Sequence, residues 1–193
     1  MSKQFPLFSS QQNLAQQYWK ALLKENDWVI DATCGNGKDS LFLSHLIPKG
    51  VLITMDIQEQ AILHTQTALG KELSEGCKVF FYQQSHETFP LQAYQHPIKL
   101  IVYNLGYLPK GDKSITTLSR STLTSLETAL DLVSHGGMIS LSCYPGHAEG
   151  SIEEIELIKF CSNLSPDLWA VCYHKFINRS QAPSLIILQK QKQ

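Results

Sequence analysis

The stretch that decides the fold is DATCGNGKDS, residues 31–40, which follows the short apolar run Trp28-Val29-Ile30. An apolar run of strand length ends in Asp31, passes through Gly35 and Gly37, and enters a segment rich in Leu and Phe. That order reads as strand, tight turn, helix, and glycines there let backbone approach a ligand closely. The plainer alternative is that the two glycines only make the turn.

Working outward, short apolar runs alternate with segments of helical spacing. Strands are expected at 28–33, 51–56, 78–83, 98–104, 138–144, 168–176 and 184–190, and helices near 10–24, 38–47, 58–73, 119–134 and 149–162. Several strands are apolar at consecutive positions, as when helices cover both faces of a parallel sheet. The alternation predicts a doubly wound α/β fold. Only INRSQAP separates the last two strands, too short for a right-handed helical crossover, so they should form an antiparallel hairpin at one edge. Five alternating strands closed by a hairpin is the Rossmann-like layout of class I methyltransferases, a seven-stranded, mostly parallel sheet. No repeat or linker divides the chain, so one domain over 1–193 is expected.

Composition narrows the function. The 193 residues are 43% hydrophobic and 17% charged, enough for one sizeable core. Sixteen Lys plus Arg against seventeen Asp plus Glu leave a net charge of -1, so any nucleic-acid contact must come from local clustering. Five scattered cysteines without a CxxC pair suggest neither a disulfide framework nor a zinc site. MSKQFPLFSSQQ lacks an apolar h-region, and no run approaches the roughly 18 apolar residues needed to cross a bilayer. The expectation is a cytoplasmic protein without a membrane partner.

The glycine turn has a second half. Asp56 closes the next strand, where a carboxylate can accept hydrogen bonds from ribose hydroxyls. Both halves fit an adenosine group, and two details favour S-adenosylmethionine (SAM) over a dinucleotide. The GxGxxG fingerprint has Ser40 in place of its third glycine, and Asp31 would repel a pyrophosphate but attract the ammonium and sulfonium of SAM. Asp39 reads equally well as a first-turn acid stabilising a helix N-terminus.

NLGYLPKGDKS, 104–114, follows the fourth strand at its carboxyl end, where ligands collect in open α/β sheets. The Asn104 amide can accept a hydrogen bond from an amine, and Tyr107 can stack on a base. A plain βα connection is the alternative. Ser85-His86, after the third strand, reads either as an adenine contact or as a turn pair. Lys99, Lys110, Lys113 and Arg120 surround the target loop with Asp112 opposing them. Lys175, Arg179, Lys190 and Lys192 lie on the final hairpin. Such clusters can follow RNA phosphates or form a solvated face. The acidic stretch 149–156 is expected to lie away from RNA. His147, near Tyr144 in YPGHAEG, is read as structural.

Taken together, DATCGNGKDSLFL, TMDIQEQAI, QSHE, YNLGYLPKGDKSITT, LSCYPGHAEGSIEE and FINRSQAPSLIILQK, in order from about residue 5 to 190, resemble the bacterial rRNA methylase family of class I SAM-dependent methyltransferases. Members of that family act as tRNA 5-(aminomethyl)-2-thiouridine methyltransferases. The resemblance implies methyl transfer from SAM to the exocyclic amine of 5-aminomethyl-2-thiouridine at the tRNA wobble position. By motif, Asn36, Lys38, Asp56, Gln58, Ser85 and His86 would line the SAM pocket, with Asp31, Gly35 and Gly37 shaping it. Asn104 and Tyr107 would face the target amine. On local basic charge rather than on the resemblance, Lys110, Lys113, Arg120 and Arg179 are expected on RNA phosphates. The chain departs from the family at Lys38, where His is frequent. The expected partner is tRNA, with a homodimer left open. Other readings are a SAM methyltransferase acting on rRNA, another RNA or a small amine, and a non-catalytic Rossmann-like RNA-binding module.

Overall fold

The computed structural model describes residues 10–73, 76–108 and 116–192. Its parallel strands are β1 (Trp28–Asp31), β2 (Val51–Asp56), β3 (Lys78–Gln83), β4 (Ile98–Asn104) and β5 (Val133–Cys143). The final strands are β6 (Trp169–His174) and β7 (Ser184–Lys190). The helices are α1 (Gln11–Leu22), α2 (Lys38–Leu46), α3 (Glu59–Glu72), α4 (Ser119–Leu132) and α5 (Ala148–Ser162). One seven-stranded sheet runs in the order β3-β2-β1-β4-β5-β7-β6, and only the pairings of β7 with β5 and with β6 are antiparallel. The expected doubly wound sheet with an antiparallel hairpin is therefore what forms.

Alternation along each strand feeds two apolar layers. Ile53, Ile101, Tyr103, Ile139 and Leu188 pack with Leu126 and Ala129 of α4 and Leu157 and Cys161 of α5. Leu52, Leu100, Val102, Met138 and Ile187 turn the other way, onto Ala15 and Trp19 of α1, Leu43 of α2 and Leu69 of α3. Because both faces are covered, strands such as VLITM are buried without a break, Thr54 included, and each fully buried Leu or Ile contributes about 1.5–3 kcal/mol. Among the described residues, no helix is long and apolar enough to cross a membrane.

Several boundaries differ from expectation for local reasons. β1 stops at Asp31 because the glycine turn begins directly after it. α1 starts at Gln11, where the Ser10 side chain caps it by accepting from the Asn13 amide. β5 begins at Val133 rather than 138, with no gap after α4. Its first residues pair past a register shift against Ile98/Leu100, and Gly136 (φ 68°) lies within them. Strand order reverses between β2-β1 and β4-β5, which opens a crevice at the carboxyl ends of β1 and β4.

Candidate active site

The glycine turn forms one wall of that crevice. Gly35 (φ 51°) and Gly37 (φ 75°) both adopt the left-handed conformation, and a Cβ on Gly37 would lie 2.8 Å from the Thr65 Cα of α3. Only glycine permits this turn against α3. Asp56 at the end of β2 accepts from the Gly35 amide at 3.0 Å and from the Gln58 amide at 3.0 Å, tying two strand ends together. Burial raises its pKa, against the lowering by these backbone donors. Each carboxylate oxygen still has acceptor capacity for a hydroxyl.

Asp31 lies beneath the turn. It is fully buried and accepts from Ser40 Oγ at 2.6 Å and, more weakly, from the Thr33 amide at 3.4 Å. Burial, with added repulsion from Asp39 and Asp56, pushes its pKa up to about 7 although the Ser40 bond opposes this. It shapes the turn from below and does not line the cavity.

Asp39 does line it, as Asp56 does. Its Oδ1 accepts from Gln12 Nε2 at 2.8 Å and Gln16 Nε2 at 3.2 Å, both on α1, and its Oδ2 accepts from Asn104 Nδ2 at 2.7 Å. A carboxylate only accepts, so the Asn104 amide must turn its NH2 to Asp39, which leaves Oδ1 as an acceptor that no hydrogen bond among the described residues uses. The Asn104 backbone N–H donates to Thr33 Oγ at 2.6 Å, which fixes the end of β4 against the glycine turn. Asp39 thus does much more than stabilise a helix end, and it joins the site through partners distant in sequence.

The cavity encloses about 980 Å³. Gly35, Asn36, Lys38, Asp56, Gln58, Ser85 and His86 line it, together with Asn104, Tyr107, Arg120, Tyr144 and His147. Gln181 and Pro183 reach it from the β6–β7 connection. Ser85 Oγ accepts from the Glu87 amide at 3.2 Å, the turn geometry considered as one reading of this pair. His86 sets Nε2 3.3 Å from Thr122 Oγ and its ring edge-on to Tyr103. Burial drives its pKa down to about 4, so the ring is neutral at physiological pH.

Behind the target loop stands Glu153 of α5, only 2% exposed. It accepts from Thr122 Oγ at 2.6 Å and from Thr117 Oγ at 2.8 Å, and Thr117 Oγ in turn accepts from the Gly106 amide at 2.7 Å. Part of the acidic stretch is therefore internal framework. Glu154 is also buried, bonded to Ser184 Oγ and to Tyr173 OH. The spacing 150, 153, 154, 157, 161 marks the buried face of α5 and would have revealed both acids. His147 caps the same helix, its Nδ1 accepting from the Gly150 amide at 3.1 Å, with its ring 5.4 Å from that of Tyr107. The Tyr144 hydroxyl accepts from Gln11 Nε2 at 3.1 Å.

The basic clusters divide. Arg120 lines the cavity, and Arg179 lies two residues from Gln181 with its guanidinium 4.2 Å from the Phe176 ring centre. Lys110 and Lys113 lie outside the described residues. The grouping of Lys99 with the target loop does not hold. Lys99 is near the start of β4, roughly 16 Å from Asn104 at about 3.3 Å per residue, and its Nζ donates to the Gly136 carbonyl. Lys190 ends the antiparallel β7 and donates to the Leu130 and Val133 carbonyls, and the Lys192 side chain reaches Gly136. All three lie at the amino ends of the parallel strands, away from the cavity. Lys175 is paired with Glu154 at 3.5 Å.

The model of the family described as "Putative rRNA methylase" matches residues 52–190. The chloroplastic tRNA (mnm(5)s(2)U34)-methyltransferase of Arabidopsis thaliana is 36% identical over 192 residues, covering 93% of this chain and 69% of that protein. A "putative rRNA-methylase" from Clostridium thermocellum has a solved structure 33% identical to this chain, with a TM-score of 0.87 over 94% of this chain and 97% of that one. A "putative methyltransferase" from Streptococcus mutans, solved in complex with SAH, is 29% identical with a TM-score of 0.81 and covers 98% and 99% of the two chains. By these matches the chain belongs to the rRNA methylase family of SAM-dependent methyltransferases, and the SAH-bound relative points to S-adenosyl-L-methionine as its cofactor.

Proposed function

We propose that this chain methylates the exocyclic amine of 5-aminomethyl-2-thiouridine at the wobble position of tRNA. The observation that carries the reading is the Asn104 amide, turned by Asp39 so that Oδ1 is an acceptor in the same cavity as the glycine turn. The name of the Arabidopsis relative supports the choice of nucleoside. In this reading Asp56 accepts from the ribose hydroxyls of SAM. Gly35, Asn36, Lys38 and Gln58 border the cofactor, Ser85 and His86 meet the adenine, and Asp31 and Gly37 hold the turn.

When bound, SAM supplies an electrophilic methyl group on a sulfonium, already a good leaving group. The chain's task is then alignment, which contributes up to about 7–11 kcal/mol in favourable systems. Asn104 Oδ1 accepts one N–H of the neutral amine and so points the nitrogen lone pair along the line of displacement. Gln12 and Gln16 disperse the charge of Asp39, which limits its pull toward the unreactive ammonium form. Tyr107 offers a face for the base, and Arg120, Arg179, Lys110 and Lys113 meet phosphates. The amine's proton leaves to water before attack.

The test is incubation of the purified protein with methyl-labelled SAM and tRNA from a strain lacking the gene, followed by digestion to nucleosides. Label is expected in 5-methylaminomethyl-2-thiouridine. Label in another nucleoside, or in rRNA or a small amine offered in parallel but not in tRNA, refutes the substrate.

A further inference from the structure

We propose that Glu153 is a positioning residue that fixes the tautomer of His86, and thereby the hydrogen-bonding sense in which the chain reads the adenine of SAM. This deepens the proposed function, since it rests on His86 facing the adenine.

The argument is a count of protons. Each threonine hydroxyl has one. Thr122 Oγ is 2.6 Å from Glu153 Oε1 and Thr117 Oγ is 2.8 Å from Oε2, so both hydroxyls spend their proton on the carboxylate, which can only accept. Thr117 Oγ is then free to accept, and it does so from the Gly106 amide at 2.7 Å. Thr122 Oγ must likewise act as acceptor toward His86 Nε2, 3.3 Å away. A neutral ring with its proton on Nε2 has a bare lone pair on Nδ1, and this atom makes no hydrogen bond among the described residues. A lone pair there suits the N–H of an exocyclic amine and rejects a carbonyl oxygen in its place. One carboxylate on α5 thus sets the polarity of the adenine contact and anchors the backbone of the target loop.

Glu153→Gln separates these two duties. The Gly106 N–H can only donate, so Thr117 must stay an acceptor there and needs a proton acceptor behind it. The new amide therefore turns its oxygen to Thr117 and its NH2 to Thr122. Thr122 then receives a proton from behind and passes its own forward to His86 Nε2, which moves the ring proton to Nδ1. Adenine meets a donor where it met an acceptor.

The measurements are ring 15N shifts of His86 in the free protein, calorimetric affinity for SAM and for its 6-oxo (hypoxanthine) analogue, and kcat and KM for SAM. In Glu153→Gln the ring shifts should exchange and SAM affinity should fall about ten- to hundredfold. Affinity for the 6-oxo analogue should fall less or rise, and kcat at saturating SAM should stay within about threefold of wild type. Thr122→Val cuts the link to His86 while leaving Thr117 and Gly106 alone. It should weaken SAM binding and leave the ring without a fixed tautomer, and it carries the same test should the Gln variant fail to fold. A ring that keeps its proton on Nε2 in both variants overturns the relay, whatever the ligand data show. Exchanged shifts with unchanged preference for SAM over the 6-oxo analogue overturn the adenine contact of His86. Neither result touches SAM use itself, which the wild-type titration reads independently.

Discussion

Asp31→Asn is expected to remove a loss of stability that the wild-type protein suffers as pH rises. Full burial holds the Asp31 carboxyl at a pKa of about 7, against 3.8 for the free side chain. Between those values the folded chain keeps a proton that the unfolded chain releases. Stability from the protonated form is thus complete below the lower value and is lost as pH climbs through the window to the upper one. One pKa unit corresponds to about 1.4 kcal/mol, so the whole window is worth on the order of 4 kcal/mol, and the portion between pH 5 and pH 8 about 2–3 kcal/mol. Asparagine does not titrate. Its absolute stability depends on how its amide pairs with Ser40 and the Thr33 N–H, but its pH slope does not. Urea unfolding of both proteins at pH 5 and pH 8 without cofactor should show the wild type losing those 2–3 kcal/mol relative to the variant. Parallel stability curves refute the claim that Asp31 is held protonated by burial.

Asp39→Asn should slow single-turnover methyl transfer about ten- to hundredfold with SAM affinity within a few-fold of wild type, because a charged acceptor for Asn104 Nδ2 is lost. Equal rates remove Asp39 from the alignment of Asn104. Asn104→Asp keeps an acceptor but adds charge that holds the amine as ammonium, so its rate should be low near neutral pH and partly recover as pH rises, whereas Asn104→Ala should not recover. Near-wild-type rates for both across pH would exclude the contact. Arg120→Ala and Arg179→Ala should each weaken tRNA binding and lower its salt slope by about one without changing SAM affinity. Unchanged salt slopes in both would make these arginines solvated surface. Gly37→Ala should destabilise the protein by at least about 2 kcal/mol, since it strains a φ of 75° and drives a methyl to 2.8 Å from Thr65 Cα. Chemical denaturation checks this, and a loss under 0.5 kcal/mol refutes it.

Features legible in the sequence were those where backbone demands force residue types at neighbouring positions. Gly35 and Gly37 need left-handed φ, Asp56 stands at a strand end, and INRSQAP is too short to be anything but a hairpin connection. The arrangement around Asp39 was not legible, because its donors come from residues 27, 23 and 65 positions away on α1 and β4. Glu153 stands in an acidic run expected to lie away from RNA, and the charge of that run masked the 3.6-residue period that points Glu153 and Glu154 inward. The lysines misled for a geometric reason. Lys99 is close to Asn104 in sequence, but a strand converts five residues into nearly its whole length, and Lys190 runs the other way on an antiparallel partner.

The seat of α1 ties the hold on Asp39 to the last strands of the sheet. Ala15 and Trp19 rest in one apolar layer with Met138 of β5 and Leu185 and Ile187 of β7, and Tyr18 meets His174 of β6 at 3.1 Å. Gln12 and Gln16, which hold Asp39, lie far upstream in the sequence of β5 and β7, which seat their helix. Removing β7 takes away part of the platform for α1 without removing the glycine turn, Asp39 or Asn104. The hold on Asp39, and through it on Asn104, thus depends on a strand three places from β1 in the sheet.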